Sequence, residues 1–357
     1  MQIEAVRLEA EAGRDFALEY PEQFVLARED GLELPGWDHA KLNGLNLWRA
    51  PGARTKRLLD KSGRQFGWLL GEAVDGNGQY LSDPVTVPVP SLSKAGMVKA
   101  EAWIEALAGR YAVILAGKTD ARIYQDPVGD FSVVWDPETG IIASSVLLAL
   151  NRPLSWNPRF DRRKVLDGKV HFSLGHTADR SVRLMWPNHY LDLANLRLVR
   201  HWPRADTVFE IPQNALEQQV AAISDRLTAV MRALVTGTSC LLPISGGRDS
   251  RNLAGVLGPA AASLVAGFAV KFHKMSRIDS EIGGVIAERL GVPYFAVSYK
   301  PTSRQDRFGY YRRTGYGDGG AALHVLGSHL TLPPGNLSLR GNVMEIIRAN
   351  QWNQPSI

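Results

Sequence analysis

Apolar positions along the chain follow two different rhythms. Between residues 110 and 146 they come in short runs: Arg110–Ala116, Ala121–Asp126, Phe131–Asp136 and Ile141–Ser145. The runs are separated by Gly117-Lys118, Pro127-Val128-Gly129 and Pro137-Glu138-Thr139-Gly140. Short strands between regular turns predict an antiparallel meander. A further β-rich stretch runs from Ser181 to Trp202. Residues 1–110 read as short strands and loops with one or two helices. Pro84, Pro88 and Pro90 confine the segment 80–90 to a loop or a sheet edge, because proline cannot donate to a ladder. Ala100–Leu107 reads as a short helix stopped by Gly109.

The rhythm changes after residue 205. Leu216, Val220, Ile223, Leu227, Met231 and Leu234 step by three or four, which predicts a helix with one apolar stripe, broken at Gly237. Strand and helix patterns then alternate. Cys240–Ile244, Ser263–Ala269 and Pro293–Tyr299 read as strands; Asp249–Leu257 and Asp279–Leu290 read as helices closed by Gly258 and Gly291. Such alternation predicts a parallel sheet. The expected organisation is a first domain over 1–205, a connecting helix over 206–236 and a second domain over 237–357.

Composition bounds the function classes. The 357 residues, 45% hydrophobic and 22% charged, are globular in character and long enough for two domains of roughly 100–200 residues each. No apolar run reaches the roughly 18–20 residues needed to span a bilayer, so no membrane association is expected. Met1–Arg7 lacks the basic-then-apolar order of a signal peptide. Cys240 is the one cysteine, which excludes an internal disulfide framework and a Cys-rich zinc site and makes the cytoplasm the default location. Lys and Arg exceed Asp and Glu by 41 to 36, a mild excess without long like-charge runs. The densest basic stretch, Arg304, Arg307, Arg312 and Arg313, lies beside Tyr310, Tyr311 and Tyr316, a stacking-and-charge pattern compatible with RNA. Nucleic acid is nevertheless not the expected partner, and the bland reading is a solvated face. His324 and His329, five apart without a third ligand nearby, are poorly placed for one metal.

The sharpest chemical signal is Ile244-Ser245-Gly246-Gly247-Arg248-Asp249-Ser250, between a buried strand and a helix start. Two glycines allow a tight turn and close backbone approach to a ligand. The amides at the helix start favour an anion, and Ser245 and Ser250 add hydroxyl donors. Asp249 beside phosphates calls for a divalent cation between them, and Mg²⁺ prefers such oxygen ligands. There is no Gly-Lys-Ser/Thr of a Walker loop and no third glycine of the dinucleotide fingerprint. Ser-Gly-Gly-x-Asp-Ser after an apolar strand resembles instead the signature of the ATP-pyrophosphatase (PP-loop) enzymes, whose loop holds the pyrophosphate of ATP.

From about residue 109 to 349 the chain resembles asparagine synthetase-type proteins, which join a class II glutamine amidotransferase domain to a PP-loop synthetase domain. Gly109-Arg110-Tyr111-Ala112, Gln125-Asp126-Pro127-Val128-Gly129, Ile142-Ala143-Ser144-Ser145 and Leu184-Met185-Trp186-Pro187-Asn188-His189 are similar to first-domain segments in the same order. The resemblance implies an α+β Ntn-hydrolase-like sandwich followed by an α/β parallel-sheet PP-loop domain of the adenine nucleotide alpha hydrolase-like type. It implies that Ser245, Gly246, Gly247, Arg248, Asp249 and Ser250 bind ATP and pyrophosphate. It also places Gly267, Phe268 and Ala269 beside the adenine. Leu339–Glu345 stands in the place of the family's Ser-Gly-Asp-Gly-x-Asp-Glu, so Gly341 joins the nucleotide site and Glu345 joins Asp249 as catalytic carboxylate and Mg²⁺ ligand. Arg340 and Asn342 depart from that pattern.

Two further departures shape the functional expectation. After the initiator methionine stands Gln2, not the cysteine whose thiol and α-amino group perform glutaminase chemistry. That loss also characterises β-lactam synthetases and lasso-peptide cyclases, which adenylate a carboxylate and let an amine attack it. Cys240, on the strand before the loop, is expected to be structural. The sequence also stops soon after the second turn, with Ile346–Ile357 remaining. Lys271 and Lys274 are the local lysines available to replace a pyrophosphate-binding lysine from the region beyond. The expected function is ATP-dependent, AMP-forming amide-bond formation on an unknown carboxylate and amine, with ATP and Mg²⁺ bound and no glutaminase activity. A degenerate nucleotide- or partner-binding protein, or one part of a split synthetase completed by another subunit or peptide, stays open beside it.

Overall fold

The structure, a computed structural model, describes residues 2–91, 93–117, 120–207, 210, 212–317 and 320–341. Glu345, Asn342 and the closing segment 346–357 lie outside these. Two compact units emerge. The first comprises the described residues up to Gly76, Leu81–Phe209 and Arg304–Leu323; the second comprises Asn77–Tyr80, Glu210–Ser303 and the described residues from His324 onward.

The first unit is built on two sheets, antiparallel except for one parallel pair at the edge of the second. One runs β11 (Arg183–Leu184), β9 (Val134–Trp135), β10 (Ile142–Ala143), β1 (Phe24–Ala27), β3 (Leu45–Arg49), β2 (Asp38–Leu42). The other runs β13 (Arg197–Arg200), β12 (His189–Asp192), β8 (Ala121–Gln125), β7 (Ala108–Ala116), β5 (Gln65–Val74), β4 (Thr55–Leu59), β6 (Val85–Thr86). Side chains alternate across each strand. Phe24 and Leu26 of β1 therefore face one way, into a core shared with Trp68, Leu70, Ile114 and Ile123 of the second sheet. Val25 and Ala27 face the other way, towards α1 (Glu4–Glu11), α2 (Phe16–Glu19) and α4 (Val146–Ala149), with Ile3, Phe16 and Leu147 buried there. On the far side of the second sheet, Met97, Ala100 and Ile104 of α3 (Lys94–Glu105) cover Leu69, Val113 and Leu115. The result is a four-layer α/β/β/α stack. Because β5 and β7 are buried on both faces, they read as continuous apolar runs.

The four segments between residues 110 and 146 are strands, but they do not form one meander. β7 and β8 belong to the seven-stranded sheet, β9 and β10 to the six-stranded one. The chain changes layer just after the fully buried Asp126. Its carboxylate accepts the amide N–H groups of Val128, Asp130 and Phe131 at 3.2, 3.0 and 2.7 Å, replacing the ladder partners lost at the crossing. Gly109, expected to stop a helix, is a strand residue opposite Ala73; at φ +137° any Cβ would lie 2.2 Å from the Glu72 carbonyl oxygen. The proline-rich segment does end at an edge, as the two-residue β6. Helix α5 (Arg162–Leu166) completes the unit together with a helix from later in the chain, described below.

The second unit opens with α6 (Leu216–Gly237). Its stripe is not wholly core: Met231 and Leu234 are buried, whereas Val220 and Ile223 are 58% and 61% exposed. Trp186 and Trp202 of the first unit are likewise exposed. Next come β14 (Cys240–Pro243), α7 (Arg248–Leu257), β15 (Ala266–Lys271), α8 (Lys274–Leu290) and β16 (Tyr294–Ser298). Helix α9 (Arg304–Thr314) returns to the first unit, where Arg312 meets the buried carboxylate of Glu9 at 2.8 Å and the Tyr311 hydroxyl donates to the Leu166 carbonyl at 2.5 Å. Helix α10 (Gly320–His329) and β17 (Leu337–Ser338) follow. The four strands form an all-parallel sheet in the order β16-β15-β14-β17.

Replacing Asp126 by Ala removes the acceptor of three turn amides, one of them that of the buried Phe131. Asp126→Ala is expected to destabilise the first unit by about 2–4 kcal/mol in urea unfolding, and Asp126→Asn, which keeps an acceptor oxygen, by less. Equal losses for the two would contradict this account of the turn.

Candidate functional site

β14 lies between β15 and β17, so the strand order reverses at its carboxyl end, the place where open parallel sheets leave a crevice for ligands. Ser245-Gly246-Gly247 leaves the sheet there and enters α7. Gly247 is the N-cap and, having no side chain, supplies no capping bond to the start of the helix. The loop is braced from within instead. The Ser245 amide donates to the Ser250 hydroxyl at 3.1 Å, the two hydroxyls lie 3.1 Å apart, and the Gly247 amide donates to Ser245 Oγ at 3.2 Å. Ser250 Oγ is also within 3.2 Å of the Ser245 carbonyl and 3.1 Å of the Gly247 carbonyl. Gly247 and Arg248 are exposed, while Ser245, Gly246, Asp249 and Ser250 are half-buried.

Glycines set how closely neighbouring elements approach this loop. A Cβ on Gly246 would lie 2.8 Å from the Asp279 carboxylate and 3.0 Å from Ile282 of α8. A Cβ on Gly283 would lie 2.2 Å from the Ile244 carbonyl oxygen. That carbonyl also accepts the Tyr294 hydroxyl at 3.0 Å, and the same hydroxyl lies 3.0 Å from the Ser280 carbonyl. Burial holds the Tyr294 phenol above its ordinary range, so it stays a donor. A Cβ on Gly341 would lie 2.8 Å from that of Asp249. The turn after β17 therefore packs directly on the acidic residue of the loop.

Of the residues expected at the site, Ser245, Gly246, Gly247, Arg248, Asp249, Ser250 and Gly341 come together. Gly267, Phe268 and Ala269 lie on the adjacent strand. The Gly267 amide donates to the Pro293 carbonyl, and the Phe268 carbonyl accepts the Ile244 amide, so both are engaged within the sheet. Lys271 ends β15 half-buried, and Lys274 opens α8 exposed. Cys240 is buried on β14 with its thiol 3.6 Å from the Leu234 carbonyl. His324 pairs with Tyr299, its Nδ1 3.5 Å from the phenol oxygen, and His329 packs edge-on against Phe268. Tyr294 was not singled out in the sequence. Asp279 was readable as the start of a helix that resembles an Asp-Glu-x-x-x-Ala…Leu-Gly segment, with no site role assigned, and nothing in the spacing says that this helix reaches Gly246.

The cluster is suited to hold an anion of several oxygens: exposed backbone amides, two hydroxyls and Arg248 donate, and Asp249 and Asp279 supply carboxylates beside them. Among the described residues, no group of three or more His, Cys, Asp or Glu side chains gathers as a metal site.

No family model matches the chain, and no curated protein matches it. Among solved structures, glutamine phosphoribosylpyrophosphate amidotransferase from B. subtilis, complexed with ADP and GMP, is similar at 11% identity and a TM-score of 0.26. The match covers 81% of this chain and 63% of that one. So loose a superposition establishes neither a common fold nor a common function.

Gly283→Ala pushes a methyl group against backbone that cannot move aside. A loss of about 2–4 kcal/mol is expected in the unfolding of the second unit. Burial, and after it the charge of Arg340, lowers the His329 pKa from its ordinary 6.5. The folded chain thus resists a proton that the unfolded chain accepts, so stability present above about pH 6.5 is lost as pH falls through the lowered value. His329→Gln is expected to reduce the drop in urea midpoint between about pH 7.5 and about pH 5.5. It should not abolish the drop, because His176 and His201 of the first unit are shifted in the same direction.

Proposed function

We propose that the second unit binds Mg²⁺–ATP with its pyrophosphate portion on Ser245–Ser250, and that the chain spends the nucleotide in forming an amide through an acyl-adenylate. The observation that carries this reading is the loop itself: a braced Ser-Gly-Gly turn at the reversal point of a parallel sheet, opening a helix. Its residues have separable tasks. The amides and the hydroxyls of Ser245 and Ser250 bind the phosphates that leave as pyrophosphate, and Arg248 offsets their charge. Asp249 holds Mg²⁺, with Glu345 as the second carboxylate implied by the sequence pattern. Gly246 and Gly341 leave room that a side chain would fill. Gly267, Phe268 and Ala269 flank the base. When bound, the metal neutralises charge that develops on the phosphates. The carboxylate substrate attacks the α-phosphorus and the α–β bridge breaks. An amine then displaces AMP from the acyl carbon, and its proton passes to solvent. Holding carboxylate and nucleotide side by side supplies much of the acceleration.

Arg340 and Asn342, in place of the serine and acid of the synthetase pattern, favour a second reading in which the chain binds nucleotide without turning it over. One titration and one assay separate the two. Calorimetric titration is expected to show saturable Mg²⁺–ATP binding, weakened at least about tenfold by Asp249→Asn or by chelating the metal, and about three- to tenfold by Ser250→Ala. Binding that Asp249→Asn leaves unchanged would overturn the assignment of the loop. Binding without pyrophosphate release across a panel of carboxylates and amines would support the second reading.

A further inference from the structure

The first unit contains a cavity of about 610 Å³, within the range of small-molecule sites. It does not depend on the nucleotide loop, and its polar wall groups divide in a telling way. The carboxylates and the side-chain amide oxygen of the wall are already in use. The Glu22 carboxylate is held by Arg54 at 3.1 Å and that of Asp130 by Arg110 at 3.1 Å. Gln23 accepts the Ser144 hydroxyl at 3.0 Å and donates its amide to the Arg313 carbonyl at 3.2 Å, fixing the end of α9 against the wall.

The donors are not. The Arg313 guanidinium makes no ion pair among the described residues. Ser145 is 3% exposed, and its hydroxyl has no hydrogen-bond partner among them. Arg159 approaches His176 Nε2 at 2.8 Å. A guanidinium can only donate, so Nε2 accepts and the proton of the neutral ring sits on Nδ1. That Nδ1 is buried and also lacks a partner among the described residues. Burial, followed by the charges of Arg159 and Arg183, keeps the ring neutral. The rest of the wall combines the aromatic and apolar groups Phe131, Phe172, Val146 and Leu184 with the polar residues Ser132, His171, Thr177, Tyr310 and Thr314.

We infer that this cavity is a binding site for a small molecule with one carboxylate and an aromatic-sized apolar body. Arg313 pairs with the carboxylate, the Ser145 hydroxyl and His176 Nδ1–H donate to its oxygens, and the apolar body lies on Phe131 and Phe172. Arg313, the Ser145 hydroxyl and His176 Nδ1–H together suit an acceptor-only head group. One unpaired cation matches a single negative charge better than the two of a phosphate.

The test uses the full chain and three probes: 3-phenylpropionate, its neutral amide 3-phenylpropionamide, and inorganic phosphate, followed by ligand-observed NMR and calorimetry. Phenylpropionate is expected to bind saturably at millimolar concentration or below. The amide and phosphate should each bind at least about tenfold more weakly, and Arg313→Gln should cost phenylpropionate a similar factor. Ser145→Ala removes an unpartnered hydroxyl, so the free variant should melt no lower than the parent while binding phenylpropionate about threefold to tenfold more weakly. Asp249→Asn should leave phenylpropionate binding unchanged, which separates this site from the nucleotide loop. Equal binding of acid and amide, phosphate binding as tight as phenylpropionate, full affinity in a folded Arg313→Gln or Ser145→Ala chain, or no saturation up to about 10 mM would each overturn the inference.

Discussion

The Ser245–Ser250 loop takes its shape from one backbone contact, the approach of α8 to the carbonyl of Ile244. Only a residue without Cβ at Gly283 permits that distance. The approach lets Tyr294 bond the same carbonyl and brings Asp279 up to Gly246. Gly267, on the neighbouring strand, allows Ile244 itself to pack flat against β15. The position of the Ser-Gly-Gly turn is thus imposed from the sheet and from α8, while the hydroxyls of Ser245 and Ser250 fix its internal curvature. A turn held in both ways is organised before any anion arrives, so binding does not have to supply the ordering free energy.

The first unit solves a different problem. Its two central strands, β5 and β7, are buried on both faces, so every polar group there needs a partner inside the protein. Glu72, 1% exposed, is paired with Lys56 at 2.8 Å and with Arg54. Asp136 and Asp179, both fully buried, share the guanidinium of Arg152. Removing one member of such a set leaves an uncompensated buried charge, so these pairs tie the layers together more by the penalty of breaking them than by net attraction.

The sequence disclosed elements better than it disclosed their neighbours. The strands and helices of the second unit were legible because parallel strands are uniformly apolar and are punctuated by Gly258, Gly291 and Pro293. The loop was legible because its chemistry is contiguous. Partnership was not: alternation in Ala121–Asp126 and Phe131–Asp136 marks strands without saying that the chain changes sheet between them, a fact carried by the buried Asp126. Gly109 looked like a helix stop because a glycine demanded by a neighbouring carbonyl is indistinguishable, in one dimension, from a glycine that ends a helix. Asp279 at the loop, and the cavity joining Gln23, Ser145, His176 and Arg313, depend on tertiary approach across tens to hundreds of residues and leave no local trace.

The return of α9 to the first unit gives the chain an unusual covalent layout. The main-chain path leaves the first unit near residue 209, builds most of the second, and comes back at Arg304 before leaving again. Glu9, fully buried near the N-terminus, lies 3.8 Å from the neighbouring Arg14 but takes its close cation, Arg312 at 2.8 Å, from about three hundred residues downstream. On a ribosome the first two hundred residues emerge without that cation. The first unit cannot reach its final electrostatic state as a finished N-terminal module, and α9 joins it only after three of the four strands of the parallel sheet have been synthesised.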